Sequence, residues 1–313
     1  MSAAIVVPDD FPSVFAGSEA EARLRMRGAL TVFSDRGAET EAELIRRVGN
    51  ARAVINIRAY SKFTERVLAA CPNLGLISIW GTGTDNVDLA ACAARGVTVA
   101  NTPGVNAHSV AEHTMGLMLA VTRAIPELDR AVRAGEWPRR LLTQLEGRTL
   151  GLIGFGAIGS RVAELARPFG MRVLVWSWGA DNGRASAHGA HHVSLETVLR
   201  ESDIVSVHLR LTAATEGILG ATQFALMKPG AYFINTARAG LVDREAMIDA
   251  LREKRIAGAA LDVFHQEPTA ADDPLLSLSN VVLTPHDSGM TAEVIDLGLR
   301  RAAENVEKFL FSG

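Results

Sequence analysis

The sequence predicts an α/β protein made of two doubly wound parallel-sheet domains, the second a Rossmann dinucleotide-binding domain, and three observations carry that prediction. Short β-rich apolar runs alternate with amphipathic stretches, the pattern of parallel strands joined by crossover helices. The alternation breaks once, at "NTPGVNAHSVAEHT", and then resumes. The second series opens on "GLIGFGAIGS", a glycine pattern set between an apolar run and a helical one.

Taken in order, the first domain (1–101) offers strands at "AIVV", "LTVF", "AVINI", "LGLISI" and "VTVA", with helices at "AELIRRVG", "TERVLAAC" and "LAACAARG". Pro103 and Gly104 interrupt this series, and Ser109 with Glu112 reads as an S-x-x-E capping box opening a helix through Thr122. A second helix follows to about Gly135, and "EWPRRLLTQLEG" reads as an extended connection. The second domain (102–289) alternates "TLGLIG", "AIGSRVAELARPFG", "RVLVWS", "LETVLRES", "DIVSVHL", "ATQFALMK", "AYFINT", "REAMIDALREK", "IAGAALDVF" and "NVVLTPH". A terminal helix (290–313) is expected to cross back and complete the first domain. No internal repeat or low-complexity segment interrupts the chain.

Composition narrows the function classes. With 313 residues, 48% hydrophobic and 21% charged, each domain can bury a sizeable core. A net charge of −3 and scattered arginines leave no basic stripe for a polyanion, which argues against nucleic acid as a partner. Cys71 and Cys92 lack metal or redox spacing and read as core thiols in a reducing compartment. "MSAAIVVPDD" has no basic segment and only a short apolar run, and no later stretch is long enough for a bilayer, so no membrane association and a cytoplasmic location are expected. Trp80 and Trp137 are expected to pack in the core.

Gly154, Gly156 and Gly159 form G-x-G-x-x-G directly after a strand and at the start of a helix. The first glycine permits a tight turn, the second lets backbone approach a pyrophosphate, and the third lets helix and strand pack closely, with free helix-start amides facing the phosphate charge. The following strand should end in an acid for the ribose hydroxyls of NAD; it ends in Ser177, followed by Trp178. A 2′-phosphate would not be repelled there, so NAD and NADP both remain admissible, with Arg184 and Arg210 as candidate phosphate partners or simply solvated charges.

"FINTARAGLVD" places Arg238 just past a buried strand, where a guanidinium fork suits a carboxylate and an adjacent carbonyl, or a structural salt bridge. "AALDVFHQEP" supplies Asp262 at a strand end and Glu267 in a turn, and "LTPHDSGMT" puts His286 where a strand stops. A carboxylate beside an imidazole stabilises its charged form and fixes which ring nitrogen carries the proton. Glu267 would do this for His286.

Together "GFGAIG", "NTARAGLVD", "ALDVFHQEP" and "LTPH" resemble the D-isomer-specific 2-hydroxyacid dehydrogenases, a family that includes glyoxylate/hydroxypyruvate reductases and phosphoglycerate dehydrogenases; the resemblance runs from about Ala53 to Phe311. It implies a hydride transfer between NAD(P)H and a small 2-oxo acid or D-2-hydroxy acid in a cleft between two domains. It implies Arg238, Glu267 and His286 as the catalytic set, with Arg238 orienting the substrate and His286 as general acid/base. It also implies substrate-carboxylate binding on the turn "WGTGTDNVD" at Thr82 and Gly83, where adjacent N–H groups in a glycine-rich turn make an anion nest. The cofactor-contacting positions it implies are Gly154, Gly156, Ala157, Ile158, Gly159, Ser177, His208, Arg210, Thr215, Ala237 and Asp262, the last holding the nicotinamide carboxamide. A homodimer joined through the helices of 109–135 is implied as well.

Departures from the family pattern are visible. Arg210 stands where proline usually follows "VHL", and "DSGM" replaces a glycine pair after the histidine. Two alternatives use the same scaffold: a phosphite-type dehydrogenase, and a nucleotide-sensing corepressor-like binding protein. Glu267, where formate dehydrogenases carry glutamine, argues against formate. "HGAHH", with His188, His191 and His192, has no nearby acid or cysteine to complete a ligand set, so no metal is expected.

Overall fold

The computed structural model of the chain describes residues 4–58, 60–178 and 182–311. The chain divides into two compact units, Met1–Asn106 with Met290–Gly313, and Ala107–Gly289. The first unit runs β1 (Ala4–Val7), α1 (Glu19–Arg25), β2 (Ala29–Val32), α2 (Glu41–Val48), β3 (Ala53–Asn56), α3 (Glu65–Ala70), β4 (Leu76–Ile79), α4 (Leu89–Ala94) and β5 (Thr98–Asn101). Its five strands pair in parallel in the order β2-β1-β3-β4-β5. The inner strands β3 and β4 are buried at every residue and apolar at nearly every one, as a strand covered by helices on both faces must be.

Ser18, Thr40, Thr64 and Asp88 side chains start α1 to α4 in turn. Thr40 and Thr64 accept the amides of Glu43 and Val67, each such cap contributing about 1 kcal/mol. Sequence reading found no helix between β1 and β2, although parallel pairing demands a crossover. The signal was present at Ser18-x-x-Glu21: Ser18 Oγ accepts the Glu21 amide at 3.1 Å and opens α1.

The second unit runs α5 (Ala107–Thr122), α6 (Ile125–Arg133), β6 (Thr149–Ile153), α7 (Ala157–Ala166), β7 (Arg172–Trp176), α8 (Asn182–Ala187), β8 (His191–His192), α9 (Leu195–Glu201), β9 (Ile204–Val207), α10 (Ala221–Leu226), β10 (Tyr232–Asn235), α11 (Arg244–Arg252), β11 (Gly258–Leu261) and β12 (Val281–Leu283). Its seven-stranded parallel sheet has the order β12-β11-β10-β9-β6-β7-β8. Strand order reverses between β6 and β9, the topological switch point where such sheets open a crevice at their carboxyl ends. Two clusters sandwich this sheet, one including Phe224, Phe233 and Leu251, the other including Met118, Val162 and Phe155. The two doubly wound parallel sheets expected from the sequence are therefore present.

The C-terminal helix α12 (Ala292–Phe311) belongs to the first unit. Its Leu299, Ala302, Ala303 and Val306, spaced three and four apart, pack with Ile5, Ile55 and Leu24, with Trp80 partly buried against the same cluster. Cys71 and Cys92 are free and buried in the core on the other face of that sheet.

One helix start differs from expectation. Ser109 and Glu112 do not form a capping box, because α5 begins at Ala107 and Ser109 lies inside its first turn. The Ser109 hydroxyl instead donates to the carbonyl of Ser288 at 2.6 Å, an acceptor 179 residues away. Trp137 also departs from its expected core position, being 75% exposed.

Candidate active site

Parallel strands place their carboxyl ends together, and the second unit's sheet brings most of the sequence-derived residues to that edge. Gly154 follows β6, Ser177 follows β7, His208 follows β9, Arg238 lies three residues past β10, Asp262 follows β11 and His286 lies three residues past β12.

The three loop glycines differ in what requires them. Gly154 has φ +106, and a Cβ there would sit 2.5 Å from the carbonyl carbon and oxygen of His208. A Cβ on Gly159 would collide with the Gly154 carbonyl oxygen. Gly156 has an ordinary extended backbone, and a Cβ would meet nothing within 4 Å. The chain itself gives no steric reason for this glycine, and the open cradle at the start of α7 fits an approaching pyrophosphate. Gly156 caps α7 without a side-chain bond, so the first amides, from Ala157 and Ile158 onward, have no intrahelical acceptor.

His208 supports the loop from behind. Its ring nitrogen Nε2 lies 2.9 Å from Ser206 Oγ, and burial pushes its pKa down to about 3, so the ring is neutral at working pH. Ser177 and Trp178 follow β7, and no carboxylate does among the described residues. Arg210 is exposed, and the Thr215 hydroxyl donates to its carbonyl at 2.7 Å, shaping the loop after β9.

Asn235 builds the loop that carries Arg238. Its Oδ1 accepts the Ala237 amide at 3.0 Å and its Nδ2 donates to the Arg238 carbonyl at 2.9 Å. The Thr236 hydroxyl bonds Thr114 of α5 at 2.9 Å, and Arg238 Nη1 donates to the Ala237 carbonyl at 2.8 Å. Sequence reasoning did not single out Asn235, although an Asx residue closing a strand is a recognisable turn signal.

His286 Nδ1 lies 2.8 Å from Glu267 Oε2, while Glu267 Oε1 accepts the Phe264 amide at 2.9 Å. A carboxylate only accepts, so Nδ1 is the donor in this pair. Burial pushes the Glu267 carboxyl up, but the bond and charge of His286, the Phe264 amide and the Arg238 charge outweigh it and hold it below the usual 4.5. His286 has φ +57, a left-handed conformation sparsely used by residues other than glycine. Its turn is held by Asp262, a buried carboxylate that accepts the Thr284 hydroxyl at 2.7 Å and the amides of Asp287 and Ser288 at 3.1 Å each. His113 of α5 bonds Thr284 Oγ1 through Nε2 at 3.0 Å. Ligand-type atoms of His113, Asp262 and Asp287 lie within 4.8 Å of one another, but the Asp262 oxygens are occupied by these hydrogen bonds.

In the first unit, Thr82 and Gly83 lie in the turn after β4. Thr102 Oγ1 accepts the Gly81 amide at 2.8 Å, and Asn101 Nδ2 donates to the Thr82 carbonyl at 2.8 Å, so β5 fixes the turn's shape. The histidines of "HGAHH" separate: His188 pairs with Glu164 at 2.9 Å, an acid the sequence reading overlooked, whereas His191 and His192 form the edge strand β8.

Residues 115–288 match the model of the D-isomer specific 2-hydroxyacid dehydrogenase NAD-binding domain. A glyoxylate reductase of Aeropyrum pernix is 41% identical over 263 residues, 80% of this chain and 78% of that protein. A D-3-phosphoglycerate dehydrogenase of Archaeoglobus fulgidus is 41% identical over 253 residues, 80% of this chain and 48% of that protein, so the chain spans about half the length of that relative. An acyclic imino acid reductase solved with NADPH and D-Arg superposes with a TM-score of 0.90 at 30% identity, covering 99% of this chain and 97% of the other. The chain belongs to the D-isomer-specific 2-hydroxyacid dehydrogenase family.

Proposed function

We propose that the protein reduces a small 2-oxo acid to its D-2-hydroxy acid, or runs the reverse oxidation, with His286 as general acid/base. The 2.8 Å contact between His286 Nδ1 and Glu267 Oε2, at the sheet edge that also carries the glycine loop, is the observation behind this reading. The nicotinamide, when bound, exchanges a hydride with the carbonyl carbon. Glu267 keeps Nδ1 as a donor, which leaves Nε2 to give a proton to the carbonyl oxygen during reduction and to take it back during oxidation. A positioned acid of this kind contributes about 10²- to 10⁴-fold in rate.

Arg238 orients the substrate through its planar fork, which suits a carboxylate and an adjacent oxygen. The amides of Thr82 and Gly83 are assigned to the substrate carboxylate on the family resemblance. The loop Gly154, Gly156 and Gly159 with the amides of Ala157 and Ile158 holds the pyrophosphate. Ser177, His208, Arg210, Thr215, Ala237 and Asp262 complete the assigned cofactor surroundings. With Ser177 where NAD-selective domains carry an acid, NADP is admissible beside NAD, and the parallel assay below decides between them.

The protein is further proposed to be a homodimer. All nine residues of α6 escape burial, and Ile125, Val132, Trp137 and Leu141 are large exposed apolar side chains on or just after it. Oxidation of NADH and NADPH followed in parallel with glyoxylate, hydroxypyruvate and phenylpyruvate tests the activity. Turnover with at least one acid is expected; none with any member of the panel would contradict the proposal.

A further inference from the structure

We propose that Ser109 and His113 of α5 are positioning residues that, with Thr284 and Asp262, lock the turn on which His286 is presented. The inference rests on the reading of His286 as the acid/base and concerns what holds it in place.

The turn from Thr284 to Ser288 has little of its own to define it. Its internal bond is the His286 amide to the Thr284 carbonyl at 3.0 Å, and its central residue sits at φ +57. A non-glycine residue in the left-handed region costs of order 1–3 kcal/mol and persists only where surroundings over-determine it. Here two elements distant in sequence supply the surroundings. Just past β11, Asp262 Oδ1 accepts the Thr284 hydroxyl and the Asp287 amide, and Oδ2 accepts the Ser288 amide, so one carboxylate grips both sides of His286. From α5, the Ser109 hydroxyl donates to the Ser288 carbonyl at 2.6 Å and His113 Nε2 reaches Thr284 Oγ1 at 3.0 Å.

Proton inventory orders this network. The Asp262 carboxylate only accepts, so the Thr284 hydroxyl donates to it and must accept from His113; His113 is therefore protonated on Nε2. Ser109, Asp262 and Ser288 are buried, and buried hydrogen-bonded groups are costly to leave unmatched, so the network has one satisfied arrangement rather than several. That arrangement aims the His286 ring at Glu267. The two α5 residues lie one helical turn apart, at positions 109 and 113, so a single helix face grips both ends of the turn.

Thr284→Val removes the hydroxyl at nearly constant shape, Thr284→Ser keeps it, and Ser109→Ala removes the second α5 contact. Expected for Thr284→Val and Ser109→Ala is a fall in kcat of about tenfold or more with cofactor Kd and substrate KM little changed, restoration in Thr284→Ser, and shifted or broadened ¹⁵N signals of the His286 ring in the cofactor-free protein. Wild-type kcat and an unchanged ring spectrum in both Thr284→Val and Ser109→Ala would overturn the clamp. His286→Ala, run alongside, separates the two claims. If it retains full turnover the acid/base assignment fails, while the ring spectrum still decides whether the clamp exists.

Discussion

His286 Nδ1 and Glu267 Oε2 lie 2.8 Å apart although 19 residues separate them in sequence, because each is carried on a loop beyond the carboxyl end of one of two neighbouring parallel strands. Replacing Glu267 by Gln removes the negative charge but keeps a polar group within reach of Nδ1. Turnover should then fall about tenfold or more, because the pair loses the charge that favours the proton-bearing form of the acid. Values of kcat and kcat/KM for both proteins check this, and equal values would separate Glu267 from the chemistry.

Acid should destabilise the fold in two stages. His208 has its pKa lowered from 6.5 to about 3 by burial, so its native state refuses a proton that the unfolded chain accepts. Its contribution is fully present above about pH 6.5 and is lost as pH falls from there toward 3. Glu267 is held below 4.5, so its contribution is present above that value and is lost as pH falls through the lowered native pKa. Denaturant midpoints measured from pH 7 to 4 should decline, and His208→Asn should flatten the upper part of that decline.

Glycine substitutions should separate folding from binding. Gly154→Ala puts a methyl against the His208 carbonyl at a positive φ, and a loss of stability of a few kcal/mol is expected. Gly156→Ala has open space and an extended backbone, so its thermal midpoint should stay near wild type while dinucleotide affinity falls. Calorimetry with NADH and NADPH distinguishes the two; equal affinity in Gly156→Ala would remove the phosphate from that cradle.

The exposed apolar residues of the α6 region predict association. Sedimentation should give a dimer for the native chain and a monomer for Trp137→Glu combined with Leu141→Glu. A native monomer would contradict the proposed assembly.

Much of this was legible in the sequence, because buried parallel strands and crossover helices write their own periodicities and the glycine loop needs specific residues at specific spacing. The placement of Arg238 and His286 just beyond strands, and of Glu267 in the turn after Asp262, was read from the same pattern together with the family resemblance. What stayed hidden depends on distant partners. The Ser109-x-x-Glu112 pattern has the same form as the true cap at Ser18-x-x-Glu21, and only the Ser288 carbonyl, 179 residues on, shows that Ser109 works sideways rather than as a cap. His113 and Thr284 carry no local signature at all, since their hydrogen bond exists only once α5 packs beside β12.

The most direct test of the acid/base assignment is the turnover of His286→Ala with the 2-oxo acid that the wild-type protein reduces best, measured together with its affinity for the reduced cofactor. Rate loss of about 10²-fold or more with cofactor affinity retained is the predicted result. Wild-type turnover in the alanine variant would contradict it.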